Sequence, residues 1–333
     1  MSQLENQLSR YGAIARVIPD LVPGAKVFLV SDSDDTTVGP LNIGSEFPVD
    51  RDGVTRVYTT VQAAVNAASA GRGDVILVLP SYDQSVTGAD SWNTAGVSII
   101  GVGRGAQRPT IRYTGASGEV GIGASNIRVS GFRFLAAADS IARAVDIDSG
   151  FTGIHFDNNI FDFDTTTSDF RVMLRVGSKR SVIENNRFIA ADSAPASGRA
   201  ISFRGGAASY SIIRRNYFYG QYDTLGDTTN GAGVIVQDTT DTADTNNSGM
   251  VIEDNVIVNT DTAVAILMRL DGGGFRSMGI VTNNRLVSFD SSSADTAKVI
   301  TGTGVGVGFK FVDNIISSDS STEHRVGDTS PVA

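Results

Sequence analysis

Most of the side chains able to do chemistry in this chain are acidic. Asp223 and Asp227 open a stretch rich in Thr, Asp and Asn, QYDTLGDTTNGAGVIVQDTTDTADTNNSG, and Asp238 and Asp241 follow within it. Arg214 and Arg215 lie just upstream, and Asp146 and Asp148 alternate with Val145 and Ile147 in AVDIDSG. Two carboxylates with an arginine are the set that cleaves a glycosidic bond: one acid protonates the leaving oxygen and the other activates water or attacks. The same residues also read as an acidic surface, since 36 acids against 27 bases leave a net charge of −9. His155 falls at a strand position in IHFDNN and reads as structural; His324, in STEHRVGDT, reads as solvated. DSDD, Asp32 to Asp35, is acidic enough for calcium but lacks the spacing and closing Glu of an EF-hand.

Composition removes whole classes of function. The chain of 333 residues has no cysteine, which excludes disulfides, thiolate nucleophiles and Cys-based zinc sites, and two histidines are too few for a His-rich metal site. Neither a metal nor another cofactor is expected. The negative balance argues against a nucleic-acid partner and leaves protein and carbohydrate open. No apolar run approaches 18 residues, so no membrane span is expected. MSQLENQLSR lacks a basic segment followed by an apolar one, so no signal peptide is expected and synthesis in a cytoplasm is.

What must position these residues is a repeat. IHFDNNIF, VIENNRF, IIRRNYF, VIEDNVI, IVTNNRL and FKFVDNII align on Asn159, Asn186, Asn216, Asn255, Asn284 and Asn314, at spacings of 27, 30, 39, 29 and 30. IRVSGFRF and VSIIGVG extend the series backwards, with Gly131 and Gly101 matched to the asparagine. Between these copies lie short β-branched runs such as VMLRVGS, RAISFRG and AGVIVQD, bounded by turn formers. A period near 30 with short alternating strands predicts a solenoid whose coils stack at about 4.8 Å. The asparagines are expected at turns that need φ > 0, which Gly shares, and as a hydrogen-bonded ladder. The 39-residue step carries an insertion on one face of the solenoid.

The chain divides into an arm at 1–55, a solenoid with an N-terminal cap helix at 56–317, and a polar tail at 318–333. In VYTTVQAAVNAASAG, Thr59 or Thr60 caps a helix with Val61, Ala64, Val65 and Ala68 on one face, stopped by Gly71. DVILVLP follows as a buried strand. In the arm, SQLE fits a capping box, Leu4, Leu8 and Tyr11 share a helical face, and VPGAKVFLVSDSDD, with Phe28, reads as a strand. Leu4, Leu8, Tyr11 and Phe28 are the candidate oligomer or docking contacts.

The block from Tyr58 to Ser85 resembles the start of the pectin-lyase-like superfamily, especially pectin methylesterases and phage spike proteins. That resemblance implies a right-handed parallel β-helix preceded by a helix. For esterase chemistry the match is broken: Tyr222 splits the Gln-Asp-Thr-Leu motif in QYDTL, VQDTT offers Gln237-Asp238-Thr239 without a leucine, and the Asp-Phe-Ile-Phe-Gly block has no counterpart. The Gly-His-Gly and Arg-Ile-Lys patterns of polygalacturonases are missing too. The order of arm, entry block and solenoid looks like the β-helix virion proteins of tailed bacteriophages. The resemblance implies a non-enzymatic capsid decoration protein on the virion surface, a homotrimer whose partner is the major capsid protein or another virion protein. The alternative is a tail spike that binds or depolymerises a surface glycan, with Asp223, Asp227, Asp238, Asp241 and Arg214 as its candidate residues.

Overall fold

The computed structural model describes residues 24–31, 56–191, 198–204, 206–222, 233–237, 247–261, 267–270, 278–289, 308–318 and 324–326. Three sheets of 11, 10 and 7 strands run along the molecule, and every pair but the last is parallel. Each coil gives one strand to each sheet in turn. His155–Asp157, Ile160–Phe163 and Val172–Val176 make one coil, and Val182–Glu184 starts the next. Among the described residues the seven strands of the third sheet mark seven complete coils. The chain is a right-handed parallel β-helix, the hand that parallel crossovers take.

Alternation within strands divides core from surface. In the second sheet Phe134, Phe161, Phe188 and Phe218 occupy one register position and are fully buried. Their centroids are 5.0, 4.9 and 4.8 Å apart in succession, so ring stacking follows strand stacking.

Beside this stack runs the asparagine ladder. Asn186 Oδ1 accepts from the backbone N–H of Asn159 at 2.9 Å and from its side-chain amide at 3.2 Å. Asn186 in turn donates from Nδ2 to the Phe156 carbonyl and to Asn216 Oδ1. The pattern continues through Asn216, Asn255, Asn284 and Asn314, all at most 2% exposed.

The turn assignment shifts by one residue. The left-handed backbone belongs to the residue before each ladder asparagine: Asn158, Asn185, Arg215, Asp254, Asn283 and Asp313, at φ of 52–56°. Strand register places Gly101 and Gly131 with Asn158, and Phe132 with Asn159. The two glycines are therefore not ladder members. Gly131 has φ of 85°, and a Cβ on Gly101 would lie 2.6 Å from the Gly131 carbonyl oxygen, so close backbone approach requires both.

The ends differ from the expected division. Thr60 caps the helix Val61–Ala67, its hydroxyl accepting from the Ala63 N–H, and Val61, Ala64 and Val65 close the core. Val27–Val30 is not part of a separate arm; it pairs in parallel with Val75–Val78 and with Val57–Tyr58 in the first sheet. An unbroken apolar run can be buried on both faces. Phe28 and Val30 enter the main core, while Leu29 joins Val75, Leu77 and Ile100 in a second cluster. Phe28 is 2% exposed, so it is a core residue rather than a docking contact. Buried Asp74 fixes this strand, accepting from the Lys26 N–H, the Ser69 N–H and Arg72. At the other end His324–Val326 pairs antiparallel with Asn314–Ser318, so the segment read as a polar tail contains a strand. Leu4, Leu8 and Tyr11 lie outside the described residues.

Asn216→Ala should destabilise by about 2–4 kcal/mol, because it strands the buried Asn186 N–H and the Ile183 carbonyl. Phe188→Ala should cost about 3–5 kcal/mol by opening a gap in the stack. Urea unfolding measures both, and a near-neutral result for either variant would contradict the strand register.

Candidate functional site

Each sheet has an outer face, and stacking brings together residues about 29 apart in sequence. On the first sheet, Arg128 grips Asp157 with two bonds of 2.8 and 2.9 Å, and Ser130 adds a third. His155 Nε2 lies 3.0 Å from Glu184 Oε1 and 3.8 Å from Asp157. Glu184 also accepts from Arg214 at 2.8 Å and from Arg215. Burial pushes the Glu184 carboxyl up, but the hydrogen bonds from Arg215, His155 and Arg214 outweigh it and bring the pKa down to about 2. Such a carboxylate is too weak a base for proton abstraction near neutral pH. Arg214 therefore serves Glu184, with Glu253 3.8 Å away on the next coil.

On the third sheet Asp146 points away from the core, as its alternation with Val145 and Ile147 requires. It is nonetheless only 3% exposed, because arginines cover it. Arg175 binds both its oxygens, and Arg143 and Arg204 each approach to 3.7 Å. Asp148 is half-exposed, with Arg204 3.9 Å away. Glu119 pairs with Arg143 at 2.6 Å.

On the second sheet Arg133 pairs with Asp162 at 2.8 Å, and Arg112 bridges Asp83 and Asp164 at 2.8 and 3.1 Å. Above them the face changes character. Tyr217 and Tyr219 project outward on either side of buried Phe218. With Ile160, Asp162, Arg187 and Ile189 they line an open groove of about 340 Å³.

Two carboxyls are shifted the other way: Asp90, raised by burial against a hydrogen bond from Gln84, and Asp169. Burial, then Asp139 beside it, raise Asp169 to about 6 against a hydrogen bond from the Ser140 N–H. That value suits a general acid, yet the side chain is 1% exposed and out of reach of a substrate.

Asp223, Asp227, Asp238 and Asp241 lie outside the described residues, as do Asp32 to Asp35. Tyr222, which interrupts QYDTL, is a fully buried core residue whose hydroxyl donates to the Phe188 carbonyl. Beside it Gln221 donates to Asp261 at 2.9 Å, on the following coil. Sequence patterns singled out neither Glu184 nor the groove. The only signal for them was position: Glu184 sits two residues before a ladder asparagine, and Tyr217 and Tyr219 one and three after another.

The fold is that of a right-handed parallel β-helix built from three sheets. No protein-family profile matches the chain, and no curated protein matches it. Among solved structures, it is similar to a mutant pectin methylesterase in complex with hexasaccharide IV, with 11% identity, a TM-score of 0.47, and coverage of 89% of this chain and 90% of that one. A pectin methylesterase in complex with hexasaccharide VII gives 12%, 0.48 and the same coverage. An alginate lyase from Paenibacillus sp. str. FPU-7 gives 13% and 0.24, over 73% of this chain and 95% of that one.

The low pKa of Glu184 has a consequence for stability. Its folded value lies below the ordinary 4.5, so its contribution is complete above about pH 4.5 and fades as pH falls toward 2. Melting temperature followed from about pH 6 to pH 2 should therefore drop more steeply in the wild type than in Glu184→Gln. Parallel curves would mean that the Arg214–Arg215–His155 cluster does not hold the carboxylate in solution.

Proposed function

We propose that this protein is a non-enzymatic structural β-helix that decorates the capsid of a tailed bacteriophage as a homotrimer bound to the major capsid protein. The observation that carries the reading is the use made of the outer-face acids. Asp83, Glu119, Asp146, Asp157, Asp162 and Glu184 are each paired to an arginine on a neighbouring coil. Carboxylates tied in this way brace one coil against the next, and their oxygens are engaged by arginine. A flat-sided rigid prism also suits packing about a threefold axis. The phage setting rests on the order of segments in the sequence.

A second reading, recognition of a surface glycan, is favoured by one observation, the aromatic groove of the second sheet.

Immunogold labelling of intact particles from the source tests the first reading. Gold spread over the shell, with a solution mass three times that of the chain, is the expected result. Gold confined to a tail tip, or particles without label, would overturn it.

A further inference from the structure

The first sheet carries an apolar stripe on its outer face. Val182, Ile212, Val251 and Ile280 occupy one register position on successive coils. Their neighbours Ile183, Ile213, Ile252 and Val281 are fully buried, so by alternation the stripe points outward. Ile280 is 44% exposed, and on the side from which the chain enters the sheet lie Tyr210 and Met278, 58% and 50% exposed. Three of the five large apolar side chains exposed among the described residues thus fall in one patch, as at an interaction surface. Gly249 belongs to it too: a Cβ there would come within 2.5 Å of the Tyr210 ring, so the missing side chain makes room for the ring.

The position of the stripe points to its occupant. It runs along the stacking direction, at or near the start of the first-sheet strands, where the chain turns in from the third sheet. The stripe therefore forms a corner of the coil rather than the middle of a face. Around a rotation axis parallel to the stack, equivalent side chains lie at one height and each meets its own copies. A charged residue there would face its like, whereas valine and isoleucine pack. The same register position holds His155 on the coil before the stripe and Lys310 on the coil after it, so it is free of ionisable groups over these four coils. Beside it, Arg214 lies 2.8 Å from Glu184 and 3.8 Å from Glu253, a polar rim already compensated. The charges of the first-sheet strands balance, His155 apart: Arg128, Arg214 and Lys310 against Asp157, Glu184 and Glu253. The net charge of −9 does not reside on these strands, where a second copy would approach.

We infer that this stripe joins copies of the chain, side by side and parallel, an inference that rests on the homotrimer reading and adds the surface it uses. Val182, Ile212, Val251 and Ile280 each pack against their own copies, over a length of about 14 Å at the spacing of stacked strands. A partner of different sequence would set no such limit, since a carboxylate of its own could meet His155 or Lys310.

The chain has no cysteine, so a single introduced one reports its own neighbours. The test measures solution mass and oxidative cross-linking for the full chain, Ile280→Asp, Ile280→Cys and, on the second sheet, Tyr217→Cys. The wild type should have three times the chain mass, and Ile280→Asp should lower it about threefold with circular dichroism unchanged, because the side chain is half-exposed. Ile280→Cys should form a disulfide-linked pair, since copies meeting at an axis come within the roughly 7 Å between Cα atoms that a disulfide spans, and Tyr217→Cys should not. Cysteine keeps the position small and apolar, so this result stands even if the aspartate disturbs the strand. A trimer that Ile280→Asp leaves intact and Ile280→Cys does not cross-link would overturn the surface but not the homotrimer. A dimer that Ile280→Asp dissolves would keep the surface and overturn the homotrimer. A monomeric wild type would overturn both, and loss of its particle labelling in Ile280→Asp would then give the patch to the shell.

Discussion

Every coil must lie on the one before it at the spacing of parallel strands, about 4.8 Å, and the rest of the structure follows from that distance. A side chain meets its register partners above and below, so like must satisfy like. Asparagine does so because its amide both donates and accepts. From Asn186 onward each Oδ1 takes two N–H groups from the coil before, Asn159 Oδ1 takes the Phe132 N–H, and each Nδ2 reaches a carbonyl there. The backbone polar groups of a buried turn are thereby paired without water. Phenylalanine does so because flat rings stack at nearly the same interval.

The same rule limits what charge can do on the outside. A lone acid on an outer face stands over whatever occupies its position one coil away, and two acids there would repel. In this molecule arginines compensate the acids, from the matching position for Asp146 with Arg175 and diagonally for Asp157 with Arg128 and Asp162 with Arg133, and where two acids do stand in register, Asp157 over Glu184, Arg128, Arg214 and Arg215 surround them. The result is a set of carboxylates each bound by arginine, and for Glu184 the hydrogen bonds from Arg215, His155 and Arg214 bring the pKa down to about 2. Where tyrosine and isoleucine replace the alternating charges, a groove opens with an arginine on its rim.

Much of the architecture was legible from the residues. The asparagine spacings give the coil length, the alternation in AVDIDSG gives the inward face, and TTVQAAV gives a capped helix over the core. The one-residue error at the turn has a simple origin. In NN both residues tolerate the left-handed region, so the doublets at 158–159, 185–186 and 283–284 do not say which one takes it, and at Arg215–Asn216, Asp254–Asn255 and Asp313–Asn314 propensity favours the second although the first adopts it, the asparagine being buried in the ladder. The boundary placed after residue 55 failed because VFLV lies outside the repeat in sequence yet completes the first sheet in space.

Sequence alone determined the period, the inward set and the ladder, because these are local properties repeated at a fixed interval. Only the tertiary structure decided which charges neutralise one another, since Glu184 meets His155, Arg214 and Arg215 across three coils and none of these pairs is near in sequence. It likewise brought Ile160, Arg187 and Tyr217 to one groove. The physical reason is that coil stacking turns separations of 27 to 30 residues into contacts, and the composition of an outer face exists only once the coils are in register.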